Sequence, residues 1–351
     1  MKKLTMISFL LIAFAFAFSA GAQQRNSPRA SGATDVTTTE ISGVIAANMK
    51  WQLAWQDTTE NADGLVATQD GGIIFGQEQG NKVGKVDKDD HYSALVKDTN
   101  GTGGAAIDAK GRIIGVERSC FDPGGHADQC TVPGTLTEFI PERKVLADKF
   151  GDLELGRIND AVGDNKGGLY FVTEGALANN PTHRPEATAN KVFYLSPTGK
   201  VTLISGNIRP NGIIVSPEDK TLYVTNGNVV VALDIQKDGS ATNQREIAQL
   251  HDNGNGDGMT IDSSGNFYVS TGAVGIQVFA PDGKYLGTIP TPRAVASLCF
   301  SGPGKKTLYA QGRGSLGPDG TEYKTPEGVR NNSKSIYKIQ MIAQGYMGRP
   351  K

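Results

Sequence analysis

Four short motifs place an oxygen-bearing side chain at the head of an apolar run: Asp63-Gly64, Asn159-Asp160, Asn211-Gly212 and Asp257-Gly258. Carboxylate and amide oxygens drawn from separate parts of a chain are what hard divalent cations prefer, and oxygen-only ligation admits Ca²⁺ first, with Mg²⁺, Mn²⁺ and Zn²⁺ as alternatives. Two of the four side chains, Asp63 and Asp257, are carboxylates. Side by side without a cation they would repel, and one would take up a proton. Taken singly, each pair is an ordinary turn signal in which Asn or Asp caps the backbone and Gly takes a positive φ.

Position separates the set from four ordinary turns. The apolar runs begin at Leu65, Ala105, Ala161, Ile213, Met259 and Leu298, so the steps are 40, 56, 52, 46 and 39 residues. Each run leads into a turn rich in Asp, Gly or Pro and then a second run rich in Tyr, Phe, Ile and Val, as in "NDAVGDNKGGLYFV" from Asn159. Period-2 alternation followed by β-branched and aromatic residues reads as a hairpin. Further strands follow in "VFYLSPTGKVTLIS" and "GIQVFAPDGKYLGTI". Units of roughly 40 to 50 residues built from short strands mark β-propeller blades. The prediction is an all-β, six-bladed β-propeller with four-stranded blades around a central channel, spanning residues 37–351. The last blade is expected to finish with "SIYKIQMI" and to close against the N-terminal "TTEISGVIAA". In such a ring the heads of the innermost strands meet at one mouth of the channel, which brings Asp63, Asn159, Asn211 and Asp257 together.

The remaining composition narrows the class. Net charge is −1 with no long run of one sign, which offers no surface for a nucleic-acid or anionic-membrane partner; a small molecule at the channel mouth is the expected partner. Lys2 and Lys3, the apolar stretch from Met6 to Phe18 and Ala20-Gly21-Ala22 have the layout of a secretory signal peptide over residues 1–22. The stretch is too short for the roughly 20 residues of a membrane span, and residues 23–36 read as a flexible leader, so a periplasmic or secreted protein is expected. In an oxidising compartment Cys120 and Cys130, at the two ends of "CFDPGGHADQC", would form a loop-tying disulfide, and Cys299 in "VASLCF" reads as a buried free thiol. None of His91, His126, His183 and His251 stands at a repeat-equivalent position. His183 and Arg184 fall in a long insertion that could fold over the mouth. Glu117 and Arg118, at the end of a blade-two strand, and Asp160, beside a candidate ligand, are candidate substrate contacts.

In combination, "GRINDAVGDNKGGLYFV", "RPNGIIVSPEDKTLYV", "GDGMTIDSSGNFYVS" and "GIQVFAPDGKYLGTI" resemble the third, fourth and fifth blades of the SMP-30/gluconolactonase/luciferin-regenerating-enzyme family. The resemblance implies one divalent ion in the channel, held by an acidic residue of blade one, asparagines of blades three and four and an aspartate of blade five. By motif these are Asp63, Asn159, Asn211 and Asp257. It also implies hydrolysis of a lactone, with Asp257 as general base or as ligand alone. Two departures stand out: Asp63-Gly64-Leu65 where the family usually has Glu-Gly-Pro, and Val172-Thr173-Glu174 where it often has Phe-Thr-Asp. The second makes Glu174 a candidate substrate contact. A non-catalytic propeller with a structural ion, binding a small molecule or a protein at its mouth, is the competing reading.

Overall fold

A computed structural model describes residues 36–118, 134–174, 187–324 and 334–351. Residues 1–22, expected above to be a signal peptide, most of the expected leader, Cys120, Cys130, His126, His183 and Arg184 lie outside the described residues.

Six four-stranded antiparallel sheets follow one another along the chain. Their innermost strands are Asp63–Ala67, Thr102–Ile107, Ile158–Gly163, Pro210–Val215, Met259–Ile261 and Val295–Ser301. Each packs beside the innermost strands of its two neighbours, and blade six packs against blade one, so the ring is closed. This is the expected six-bladed propeller. Among the described residues there is no α-helix, and one 3-10 turn occurs at Pro303–Lys305.

Closure differs from the expectation in one detail. The outermost strand of blade six is Gln52–Gln56, paired antiparallel with Lys334–Gln340. The earlier segment "TTEISGVIAA" forms no ladder strand: it has one isolated bridge, between Ile41 and Ile45, and Val44 O accepts from Ile342 N and Ala343 N, each at 3.0 Å. It supplies buried Ile41, Val44 and Ile45 to the core between blades five and six. Both segments alternate weakly, and Gly43, at φ 74°, breaks the extended path that a ladder strand would need.

The turn that joins the first two strands of a blade is built by side-chain capping. Asp108 Oδ1 accepts from Lys110 N at 3.0 Å and Arg112 N at 2.9 Å. Asp164 and Asp262 repeat the arrangement in blades three and five, and Ser216 Oγ replaces the carboxylate in blade four. An Asx or Ser side chain that satisfies turn amides holds the hairpin tight, which is why these residues recur in the sequence. Aromatic side chains fill the widening gap between blades: Tyr223 of blade four stacks on Phe267 of blade five at 4.8 Å, and Phe171 and Phe193, cross-strand neighbours within blade three, stack at 5.3 Å in the core shared with blade two. Cys299 is a buried free thiol; burial pushes it up to about 12, so it stays protonated and unreactive at neutral pH.

Lys305, on the 3-10 turn, is a half-buried cation. Burial, reinforced by the Arg349 charge and opposed by Cys299, brings its amine down to about 8 from 10.5. Between those pH values the unfolded chain keeps the proton and the folded chain sheds it, so stability rises with pH across the window, by up to about 3 kcal/mol. The expected result is that chemical denaturation from pH 7.5 to 10.5 shows this rise in the wild-type protein and that Lys305→Met removes it. Parallel curves for the two proteins would contradict the buried-amine account.

Candidate functional site

The four oxygen-bearing residues do meet. Asp63, Asn159, Asn211 and Asp257 line one narrow pocket of about 20 Å³ together with Gly64, Asp160, Gly258, Ala296 and Ser297. That is room for about one water-sized sphere.

Backbone irregularity aims the side chains. The innermost strand slips register against its neighbour between Asp63 and Val66, between Ile158 and Asp160, and between Pro210 and Ile213. Each slip falls on or beside a pocket residue. A β-bulge inserts an unpaired residue and turns its side chain away from the regular alternation, so Asp63, Asn159 and Asn211 leave the sheet face and enter the channel. In blade five the regular strand begins only at Met259; Asp257 N donates to Ser270 O at 2.9 Å and Gly258 N to Ala296 O at 2.8 Å.

The glycines of these motifs serve two purposes. Gly64 lies at φ 56° and donates its N–H to Asp63 Oδ1 at 2.9 Å, the expected turn geometry. Gly212 has no positive φ. A Cβ there would stand 2.1 Å from Asp257 O and 2.9 Å from Gly258 Cα. Its role is close approach of two blades, which corrects the positive-φ reading of that pair.

Blade two contributes a cation where the others contribute oxygens. Its equivalent position is Gly103-Gly104, and a Cβ on Gly103 would fall 2.0 Å from the Arg118 guanidinium. Arg118 occupies that space. Its Nη2 donates to Asn159 Oδ1 at 2.8 Å and Nε to Ile158 O at 3.3 Å; Nη1 lies 3.1 Å from Glu78 Oε2 and Nη2 lies 3.9 Å from Asp63 Oδ2. Burial would push this guanidinium down, but the charges of Glu78, Asp63 and Glu174 outweigh it and hold it above its ordinary value. Asn159 Nδ2 in turn donates to Asn211 Oδ1 at 2.5 Å. Arg118 therefore orients the Asn159 amide with its oxygen toward the guanidinium and its nitrogen toward Asn211.

Around the mouth stand three arginines and four acids. Arg157 lies 3.5 Å from Glu78 Oε1 and 3.6 Å from Glu174 Oε2, and Arg313 lies 3.6 Å from Asp257 Oδ2. Arg157 Nε is buried with no hydrogen-bond acceptor among the described residues.

The other sequence candidates are distributed as follows. Glu174 is at the mouth beside Arg157. Glu117 is buried and spent on blade two itself: its Oε2 accepts from Thr135 at 2.6 Å and Thr137 at 2.5 Å, and its Oε1 pairs with Arg143. It faces the outer strands of its own blade rather than the channel, because side chains alternate along a strand and Arg118 takes the channel side. Asp160 touches the pocket, but both of its oxygens are engaged by Ala161 N, Ile213 N and Lys351 Nζ, which makes it a link between blades three and four. His251 stacks on Tyr285 at 4.0 Å, away from the channel. The grouping of Asp87, Asp89 and His91 lies on a surface turn.

Sequence reasoning passed over Glu78 and Arg157. The signal for Glu78 was present: "IIFGQE", "IIGVER" and "LYFVTE" align so that Glu78, Arg118 and Glu174 are the same position of three consecutive blades.

Donors of this kind suit a hard cation: two carboxylates, two amide groups, no sulfur and no imidazole, around a space for one sphere. The SMP-30/Gluconolactonase/LRE-like region matches residues 96–311. The chain belongs to this family. A gluconolactonase of Zymomonas mobilis is 27 % identical over 312 residues, covering 81 % of each protein. Among solved structures, a gluconolactonase of Xanthomonas campestris superposes with a TM-score of 0.69 at 20 % identity, covering 89 % of this chain and 97 % of that one. A calcium-binding protein, regucalcin, of Agrobacterium tumefaciens does so with a TM-score of 0.63 at 14 % identity, covering 85 % and 95 %. This SMP-30/gluconolactonase-family chain thus shares its fold with the two solved structures, and Asp63 lies outside the matched family region.

Proposed function

We propose that this family member is a divalent-cation-dependent lactone hydrolase that opens a sugar lactone or similar small ester at the channel mouth. The reading rests on the convergence of Asp63, Asn159, Asn211 and Asp257 around one cation-sized pocket. The lactonase names of its relatives support it. Asp63, Asn211 and Asp257 would hold the ion, with Asn159 kept in place by Arg118. When bound, the ion withdraws electron density from oxygens beside it. Calcium fits an all-oxygen donor set best, and the lack of His and Cys in the pocket disfavours zinc.

The chain's own residues supply the rest. Water adds to the acyl carbon, the ring C–O bond breaks and the ring oxygen leaves as an alcohol, so one proton must move from water to the leaving oxygen. Asp257, whose carboxylate borders the pocket, is placed to take that proton at Oδ2 and return it. Arg157 and Arg313 at the rim are donors for substrate hydroxyls or for the developing carboxylate. The segment over residues 1–22 supports export to the periplasm or exterior.

The test is a lactone panel run on purified protein before and after chelation. Hydrolysis of at least one lactone is expected, falling more than 100-fold with chelator and returning with Ca²⁺ or another divalent ion. A protein that is stabilised by the ion yet turns over no lactone or ester would favour the non-catalytic propeller.

A further inference from the structure

The last residues of the chain enter the channel from the end opposite the mouth, and they tie down every strand that carries a pocket oxygen. Ala67 N, four residues past Asp63, donates to Pro350 O at 3.1 Å, and Tyr346 N donates to Ile261 O, four residues past Asp257, at 3.2 Å. Arg349 Nη2 donates to Val215 O, four residues past Asn211, at 2.7 Å, and its Nη1 pairs with Asp219. Lys351 Nζ pairs with Asp160, the neighbour of Asn159. Lys305 of blade six holds the segment by donating to Tyr346 O at 2.8 Å and to Arg349 O.

Two cations buried to 4 % and 7 % exposure, Arg349 and Lys351, are a costly way to fill a channel, because desolvating a charge is repaid only by a specific partner. For Lys351 the partner is Asp160, a third carboxylate on the pocket wall. Asp160 Oδ2 also accepts from Ile213 N at 3.2 Å and Oδ1 from Ala161 N at 2.8 Å, so it is fixed between the two asparagine-bearing strands. Without a counter-charge it would add to the pull of Asp63 and Asp257 on any cation.

We infer that Lys351 sets the charge of the oxygen pocket: by neutralising Asp160 it keeps that carboxylate structural and limits how tightly the site grips its ion. The inference rests on the metal-binding reading above. It makes Lys351 a tuning residue that acts through Asp160 and touches no substrate. A purely structural bolt would behave differently, since loosening it could only weaken the site.

The experiment is calorimetric titration of chelator-stripped, full-length protein with Ca²⁺ and with Mg²⁺, for the wild type, Lys351→Met, Asp160→Asn and the double variant, each first shown to unfold cooperatively. Removing one positive charge beside a divalent site is worth on the order of tenfold or more. Lys351→Met is therefore expected to bind Ca²⁺ at least tenfold tighter, Asp160→Asn at least tenfold weaker, and the double variant within about threefold of wild type. Affinity that is unchanged or weaker in Lys351→Met overturns the inference. Should Lys351→Met not fold, the double variant decides in its place: recovery to within about threefold of wild type from the loss in Asp160→Asn is expected, and a double variant no tighter than Asp160→Asn overturns the inference. A wild-type protein that binds neither ion removes the metal reading itself, and this inference with it, a result distinguishable from failure of the Lys351 arm by the wild-type titration.

Discussion

Asp257→Ala is expected to abolish lactone hydrolysis, lowering kcat/KM by about 10³-fold or more, because it removes a carboxylate that lines the pocket and that the proposed reaction uses as ligand, as base or as both. The informative comparison is Asp257→Asn. An amide keeps one oxygen donor in place but cannot accept a proton from water. If Asp257 is a base, the Asn variant should hold Ca²⁺ within about tenfold of wild type while hydrolysis falls by about 10² to 10⁴-fold. If Asp257 is a ligand alone, Ca²⁺ affinity should fall by more than about tenfold and saturating Ca²⁺ should restore most of the activity. Steady-state kinetics at saturating Ca²⁺, with affinity measured separately, separates the two outcomes. Arg313, 3.6 Å from Asp257 Oδ2, keeps a cation beside the carboxylate in the wild type, so the same pair of measurements on Arg313→Met would show whether that charge contributes.

Gly212→Ala should be the most damaging single-methyl change near the site. The added Cβ would meet Asp257 O at 2.1 Å and Gly258 Cα at 2.9 Å. Both are backbone atoms, so no side chain can swing aside and the seam between blades four and five must open. Overpacking of this kind costs about 1–3 kcal/mol, or a fall in Tm of about 5 °C for a domain of this size. The displaced strands carry Asn211 and Asp257, so ion affinity should fall with stability. Gly104→Ala is the control: its Cβ meets Gly64 Cα at 3.3 Å and Gly64 N at 3.9 Å, and a few tenths of an ångström of movement accommodates it. Thermal melts that place Gly212→Ala within 1 °C of wild type would refute the close-approach account of that glycine.

The bulges explain why the site was partly hidden in the sequence. Repeat spacing marked Asp63, Asn159, Asn211 and Asp257 as equivalent, and they share one pocket. Strict alternation along a regular strand, however, sends neighbouring residues to opposite faces. Only the register slips seen in the ladder allow neighbours such as Asn159 and Asp160 both to line the pocket. Their partners then separate their roles: the first lies under Arg118, and the second is locked to Lys351 and Ile213 N. Glu117 and Arg118 were offered as a pair, and the structure separates them, one to the outer strands and one to the channel.

Local signals were sufficient wherever a short stretch of chain decides the outcome. Alternating apolar runs, Asx and Ser turn caps and a repeat near 46 residues at mid-chain, as between Ile213 and Met259, determine hairpins, blades and their number, because strand pairing within a blade joins neighbours in sequence. Contacts between distant segments were decided only by the tertiary structure. Ring closure by Gln52–Gln56 rather than the residues just before it, Arg118 reaching Asn159, and Lys351 reaching Asp160 through the channel all join residues tens to hundreds of positions apart. No period in the sequence encodes such pairings; they follow from packing and from the need of each buried charge for a partner.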